Sequence, residues 1–169
     1  LELLVKEEKL LGHMNEYEQA EAERIWGPTL KLEAVTALSK DDGTLRVIHD
    51  GTHGVHVNPN LVVPDQLRAP CIREKRRRMV HMREEGTVGF GLKGDGKSAH
   101  RLVRISMKDW GSQAFLADNK LLVSFIGTHG IGSAAFRWSR LVGRQARAVL
   151  YLHGQSTVWQ LVYAVDLDW

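Results

Sequence analysis

Two short segments of this chain each end an apolar run on an aspartate. Asp95 lies in Gly91-Leu92-Lys93-Gly94-Asp95-Gly96-Lys97-Ser98-Ala99-His100, and Asp166 lies in Leu161-Val162-Tyr163-Ala164-Val165-Asp166-Leu167. If both runs are strands of one sheet, the two carboxylates meet at its edge, and paired carboxylates are a donor set that hard divalent cations take. Taken alone, Asp95 reads equally well as a turn acid within Gly94-Asp95-Gly96. Between the two acids lies Gly127-Thr128-His129-Gly130-Ile131-Gly132-Ser133-Ala134-Ala135, a glycine-rich turn that opens a small-residue helix. Its glycines either let a large flat ligand approach the backbone or serve only close packing of the chain on itself.

Positive charge is local. Within a formal net charge of +3, residues 68–83 hold seven Lys or Arg against Glu74 alone, while residues 1–33 hold eight glutamates against four Lys or Arg. The basic cluster suits phosphate backbones, whose counterions it displaces. Its competing reading is the solvated basic face of a helix. The acidic composition of the N-terminal region argues against a nucleic-acid grip and for packing on a neighbouring part of the parent protein. His49, His53, His56 and Cys71 include zinc-type donors, but their spacing matches no compact finger and a second cysteine is lacking. No ordered set of nucleophile, histidine and acid for serine or cysteine catalysis can be placed.

A chain of 169 residues with 43% hydrophobic and 25% charged residues is long enough for a packed core and has an ordinary globular composition. The single cysteine, Cys71, excludes an internal disulfide and fits a reducing intracellular setting, cytoplasm or nucleus. No apolar stretch approaches the roughly 20 residues that cross a bilayer, and the first residues carry glutamates unlike those of a signal peptide. No membrane is expected among the partners. The chain starts at Leu1 rather than methionine and stops at Trp169 close to the second acid, which leads to the expectation of a segment of a longer polyprotein.

The elements that must position these groups are mixed in type. Leu3, Leu4, Leu10, Leu11, Met14 and Tyr17, with the Ala/Glu-rich stretch to Arg24, recur with helical spacing and predict one amphipathic helix or two, broken near Gly12 and stopped at Trp26-Gly27-Pro28. Lys40-Asp41-Asp42-Gly43-Thr44 predicts a hairpin turn with Leu45 to His49 as its second strand. A helix is expected over 72–85, a strand over 88–92, and a helix or strand from Ser98 towards Ile105. A second hairpin is expected around Asp118-Asn119-Lys120, then a long helix over 134–152 and a last strand over 158–163. The order of helices and hairpins gives the class α+β, with a ferredoxin-like arrangement as the supersecondary candidate.

Four segments in this order resemble the fingers and palm of retroelement-type reverse transcriptases. Lys40-Asp41-Asp42-Gly43-Thr44-Leu45-Arg46-Val47-Ile48-His49-Asp50 looks like the fingers hairpin of that family. By this match Arg46, with Lys40 beside it, handles the triphosphate of an incoming nucleotide, and Asp50 and Asn58 occupy the family's acid and asparagine. On the residues alone, Arg46 reads also as a strand arginine whose stem covers apolar surface. Asp95 to His100 resembles the first palm motif: Asp95 would bind the catalytic ions, Gly96 would offer its carbonyl, and His100 stands where an aromatic residue meets the sugar. His129-Gly130 and the residues after it resemble the second palm motif, in which Gly130 lets the nucleotide and template base come close. Tyr163-Ala164-Val165-Asp166 resembles the third, a tyrosine, any residue and two acids, with Val165 in place of the first acid, the direct metal ligand.

The resemblance implies RNA-directed DNA synthesis by two-metal nucleotidyl transfer, with Asp95 and Asp166 as catalytic and metal-binding residues. Lys40, Arg46, Gly96, His100 and Gly130 would bind the nucleotide. It implies Mg2+ or Mn2+, weakly held because of Val165, with an RNA or DNA template-primer and deoxynucleoside triphosphates as partners. The implied fold is an α+β fingers and palm, the palm a ferredoxin-like antiparallel sheet packed on helices, spanning residues 38–169 after an N-terminal helical segment, 1–37, and without a thumb. Because valine has no ligand atom, an inactive or impaired copy is expected; a catalytically inactive nucleic-acid-binding module and a metal-dependent nuclease are the alternatives. Charge reversal at Arg76 and Arg77 is expected to weaken nucleic-acid binding across sequences and to flatten its salt dependence. Salt-titration slopes that stay unchanged in that double variant would remove the cluster from the interface.

Overall fold

A computed structural model describes the chain apart from residues 1, 42, 44, 65–67, 90–92, 97, 155–157, 163–165 and 169, with side chains also left undescribed at 93, 95, 162 and 166–168. The chain divides into two units, residues 1–62 with 100–134 and residues 63–99 with 135–169. The class is α+β.

The first unit is built on a mixed sheet of five strands. In chain order they are β1 (Met14–Tyr17), β2 (Leu32–Ser39), β3 (Leu45–Asp50), β5 (Ala114–Ala117) and β6 (Lys120–Ser124), arranged β1-β6-β5-β2-β3. All neighbours are antiparallel except β2 and β5, which run parallel with Leu32 opposite Ala114 and Glu33 opposite Phe115. Helices α1 (Glu2–Leu10) and α2 (Gln19–Trp26) belong to the same unit.

Strand β6 is apolar without alternation because both of its faces are covered. On one face Leu121 and Val123 join Ala114 of β5 and Ala22 and Trp26 of α2. On the other, Leu122 joins Phe115 and Met14, with Val5 of α1 and Val35 of β2 against them. Trp26 is the largest member of this core: Tyr17 meets it edge-on at 5.0 Å, its indole nitrogen donates to the Met107 carbonyl at 3.2 Å, and a Cβ on Gly111 would lie 2.6 Å from its side chain. That last contact explains why position 111 is glycine.

The two hairpins form where turn chemistry places them. β2 and β3 pair from Ala34 opposite Asp50 to Ser39 opposite Leu45. At the tip of β5–β6, Asp118 and Asn119 both take positive φ, 51° and 60°, the left-handed pair that a two-residue hairpin turn demands and that Asp and Asn tolerate. The N-terminal region departs from the expected helical run. Gly12, at φ 68°, ends α1, and Met14 to Tyr17 form β1 against Leu121 to Ser124 before α2 begins. The reason is tertiary: β6 presents an edge, and pairing with it buries Met14, which a helix would leave to find another face.

The second unit holds α3 (Ile72–Glu84), most of α4 (Gly132–His153) and a three-stranded antiparallel sheet ordered β4-β8-β7. Its strands are β4 (Lys93–Asp95), β7 (Leu161–Val162) and β8 (Asp166–Asp168). Trp138, Val142 and Ala146 are buried at a spacing of four, the stripe expected of a helix with one covered face. No residue of α3 is buried, and what defines its start is Cys71, whose backbone N–H and thiol both meet the Glu74 carboxylate, at 2.8 and 2.7 Å. That bonding, the thiol first, holds the Glu74 carboxyl down at about 2.

Removing Trp26 empties the centre of the first unit's core. Trp26→Ala should destabilise the protein by roughly 3–5 kcal/mol, read from urea unfolding midpoints. Gly111→Ala should also lower the midpoint, by crowding the same ring, and an unchanged midpoint in both would show that this cluster does not carry the unit's stability.

Candidate functional site

In the second unit, antiparallel pairing of β4 with β8 puts Asp95 opposite Asp166, with Gly94 opposite Leu167 and Lys93 opposite Asp168. Directly opposed positions of an antiparallel ladder share one face of the sheet. The two aspartates are far apart in sequence and neighbours across the ladder. Gly96, immediately after β4, packs on Trp138, since a Cβ there would lie 2.7 Å from the indole ring. Tyr163, Ala164 and Val165 lie outside the described residues, so the expected turn is described only from Asp166 onward. Among the described residues no group of three or more His, Cys, Asp or Glu is placed to hold a metal ion.

In the first unit, the β2–β3 hairpin carries Lys40 and Arg46, both exposed. Asp50, at the end of β3, organises the loop that follows. Its carboxylate accepts the backbone N–H of Thr52 and of His53, each at 3.0 Å, and meets His53 Nδ1 at 2.8 Å. These bonds, that to the His53 N–H first, hold the Asp50 carboxyl below its usual value. Asn58 then ties this loop to the glycine-rich segment: its amide donates to the Gly130 carbonyl at 2.7 Å and to Thr52 Oγ1 at 3.0 Å, and its oxygen accepts the Gly132 N–H at 2.9 Å.

The glycine-rich segment lies directly on β3. His49 N–H donates to the His129 carbonyl at 2.8 Å, and Ile48 and His129 form a parallel bridge. Gly130 takes φ 103°, and a Cβ there would sit 1.9 Å from the His49 carbonyl oxygen. Gly127 is equally constrained, with a Cβ position 2.4 Å from the His100 carbonyl oxygen. These two glycines therefore have a packing role that needs no ligand.

Beneath this contact lies a pair that the sequence reading did not single out. Glu33 of β2 and His49 of β3 are buried, with Glu33 Oε2 2.8 Å from His49 Nδ1. Burial raises the Glu33 carboxyl above its ordinary value, against the lowering effect of the histidine bond. The opposite edge of the pair, Glu33 Oε1 and His49 Nε2, has no hydrogen-bond partner. No local pattern announces such a pair, because its members meet only through the register of two strands.

His100 and His129 face each other with ring centroids 5.1 Å apart. Burial lowers the His129 imidazole to about 4, with His100, Arg46, Arg101 and Lys40 adding cationic repulsion. His100 is lowered in the same order of causes, burial and then Arg46. Two neutral imidazoles among cationic side chains form a region suited to an anion. Arg101 is itself engaged, at 2.5 Å from the Glu8 carboxylate that also meets His13 at 2.7 Å. Arg104, three residues on, is exposed. Of the zinc-type donors, His49 is held by Glu33, His53 by Asp50 and Cys71 by Glu74, each in its own hydrogen bond.

No family model matches the chain, and no curated protein does. Among solved structures, the chain is similar to a foamy viral protease-reverse transcriptase in complex with double-stranded DNA, with a TM-score of 0.64 at 12% identity. The likeness is one of fold. It covers 96% of this chain and 24% of that one, so the chain spans about a quarter of the viral protein's length.

The depressed His129 has a signed consequence. Its folded value, about 4, lies below the ordinary 6.5, so the unfolded chain takes up the proton first, and stability present above pH 6.5 is lost as pH falls towards 4. Discounted for a ring that is only half-buried, the loss is roughly 1–2 kcal/mol. His129→Asn should remove that part of the pH dependence, read from urea midpoints at neutral and mildly acidic pH; an identical dependence in both proteins would assign it to other groups. Glu33, raised by burial, acts in the opposite sense, its contribution being present below about 4.5 and lost as pH rises.

Proposed function

We propose that residues 38–169, following an N-terminal segment 1–37, are the fingers and palm of a retroelement-derived reverse transcriptase whose nucleotidyl-transfer centre is impaired. The observation that carries this reading is the ladder position of Asp95 opposite Asp166, two acids brought together from distant segments. The fold likeness to the viral protease-reverse transcriptase supports it. The shared face of the two acids is the donor arrangement for a hard divalent cation, Mg2+ or Mn2+, with the Gly96 carbonyl as a third oxygen. When bound, such a cation lowers charge on attacking and leaving oxygens.

Each residue has a role in this reading. Asp95 and Asp166 hold the cation, and Val165 leaves the set one carboxylate short. Asp166 cannot replace that carboxylate without a register shift, because adjacent strand positions project to opposite faces. Lys40 and Arg46 draw the triphosphate of a deoxynucleoside triphosphate by charge, and His100 and His129, kept neutral, offer planar rings without competing for the cation. Gly130, by the same match, lets the nucleotide and template base come close to the backbone. The template-primer, RNA or DNA, takes its phosphate contacts from the basic helix α3. Ferredoxin-like topology is the expected frame for the palm, and an intracellular setting is the one in which such substrates occur.

Primer extension on a longer chain that also carries a thumb tests this reading. Val165→Asp should raise extension by at least about tenfold, since a ligand to the ions that stabilise the transition state is restored. Asp95→Ala in the restored protein should abolish the gain. If the native protein extends primers as fast as the Val165→Asp form, another residue supplies the missing ligand and the impaired-copy reading is wrong.

A further inference from the structure

The second unit has a concavity beside the basic helix α3 whose Trp159 and Gln160 none of these roles uses. It has a volume of about 540 Å3 and is lined by Arg77, Arg78 and His81 of α3 together with Leu150, Trp159 and Gln160. Its chemistry is unusual in one respect. Both the oxygen and the nitrogen of the Gln160 side-chain amide are buried with no hydrogen-bond partner. A buried amide left unsatisfied at both ends costs free energy that an incoming group with a matching donor and acceptor recovers. The edge of a nucleobase is such a group, Trp159 beside Gln160 offers a ring for its π-face, and Arg77 offers charge to its phosphate.

The electrostatics favour an anion. Among the described residues, no ion pair involves Arg76, Arg77 or Arg83, whereas Arg78 and His81 are partly balanced by Glu85 at 3.9 and 3.1 Å. A second, shallower concavity of about 310 Å3 runs along the same helix between Arg73, Arg76 and Glu84 and shares Arg77 and His81 with the first. Two adjoining basic hollows on one helix suit consecutive phosphates of a strand better than one free nucleotide.

We propose that the hollow at Trp159 and Gln160 holds one unpaired nucleotide of a single-stranded nucleic acid, with the next phosphates lying along α3. A duplex is excluded from the inner hollow because its bases already spend their edges and faces on one another. The proposal rests on the nucleic-acid part of the reading above and is independent of catalysis.

Fluorescence anisotropy of the whole chain with a labelled oligothymidylate of about ten nucleotides, a length in the range of single-strand sites, tests it. Trp159→Ala and Gln160→Leu should each weaken binding about tenfold, and Trp159→Phe, which keeps a stacking ring, should stay within about twofold of the native protein. Arg77→Ala should reduce the slope of log affinity against log salt by about 0.7, the loss of one phosphate contact on a single strand. Unchanged thermal midpoints confirm that the variants fold. Equal binding by the Trp159→Ala and Trp159→Phe proteins overturns the site, as does a blunt duplex that suffers the same tenfold loss. Thymidine monophosphate competing as well as the strand overturns it in favour of a free-nucleotide pocket. Strand binding that depends on Trp159 and persists when the Val165→Asp protein fails to extend primers sinks the polymerase reading and leaves this site standing.

Discussion

Backbone lying on backbone organises the first unit. Where the glycine-rich segment crosses β3, the His49 carbonyl occupies the space a Cβ would need at Gly130, and the His49 N–H is spent on the His129 carbonyl. Several features follow from that one close approach. It sets where His129 stands beside His100, and it places the Gly130 carbonyl within reach of the Asn58 amide. His49 also belongs to the buried pair with Glu33, whose burial raises the Glu33 carboxyl. A residue with a side chain at 130 would have to push the two segments apart, so the demand for glycine is steric before it is functional.

The acidic pair obeys a different constraint, the parity of a strand. Asp95 and Asp166 are Cα partners, and a slip of one residue would set another residue opposite Asp95 on that face. Neighbouring positions along a strand project to opposite faces, so the position beside Asp166 in sequence does not share its face.

Helix α3 shows how little burial some elements have. With no buried residue and with Ile72 and Met79 exposed, it depends on its cap at Cys71 and on ion pairs such as Arg68 with Glu74 at 3.2 Å. Exposed ion pairs contribute little each. A helix so placed is open to anything that screens its positive charge, and a bound polyanion is the strongest such screen. The basic cluster thus sits on a helix that has no buried residue.

Local chemistry was legible in the sequence. Asp118-Asn119 announced a tight turn, the Lys40 to Thr44 stretch announced the β2–β3 hairpin, and Gly12 and Pro28 marked the ends of helical segments, because these preferences act within a few residues of the chain. The candidate acids, the arginine of the hairpin and the glycine-rich turn were visible as residue types in order. What the tertiary structure alone decided was pairing. Met14 to Tyr17 became a strand because β6 had an edge to offer, Arg101 turned to Glu8, Glu33 met His49 through strand register, and Asp95 came opposite Asp166. Each of these joins distant positions at the cost of chain entropy, and only the summed burial of the folded unit offsets that cost, so no local pattern of residues encodes them.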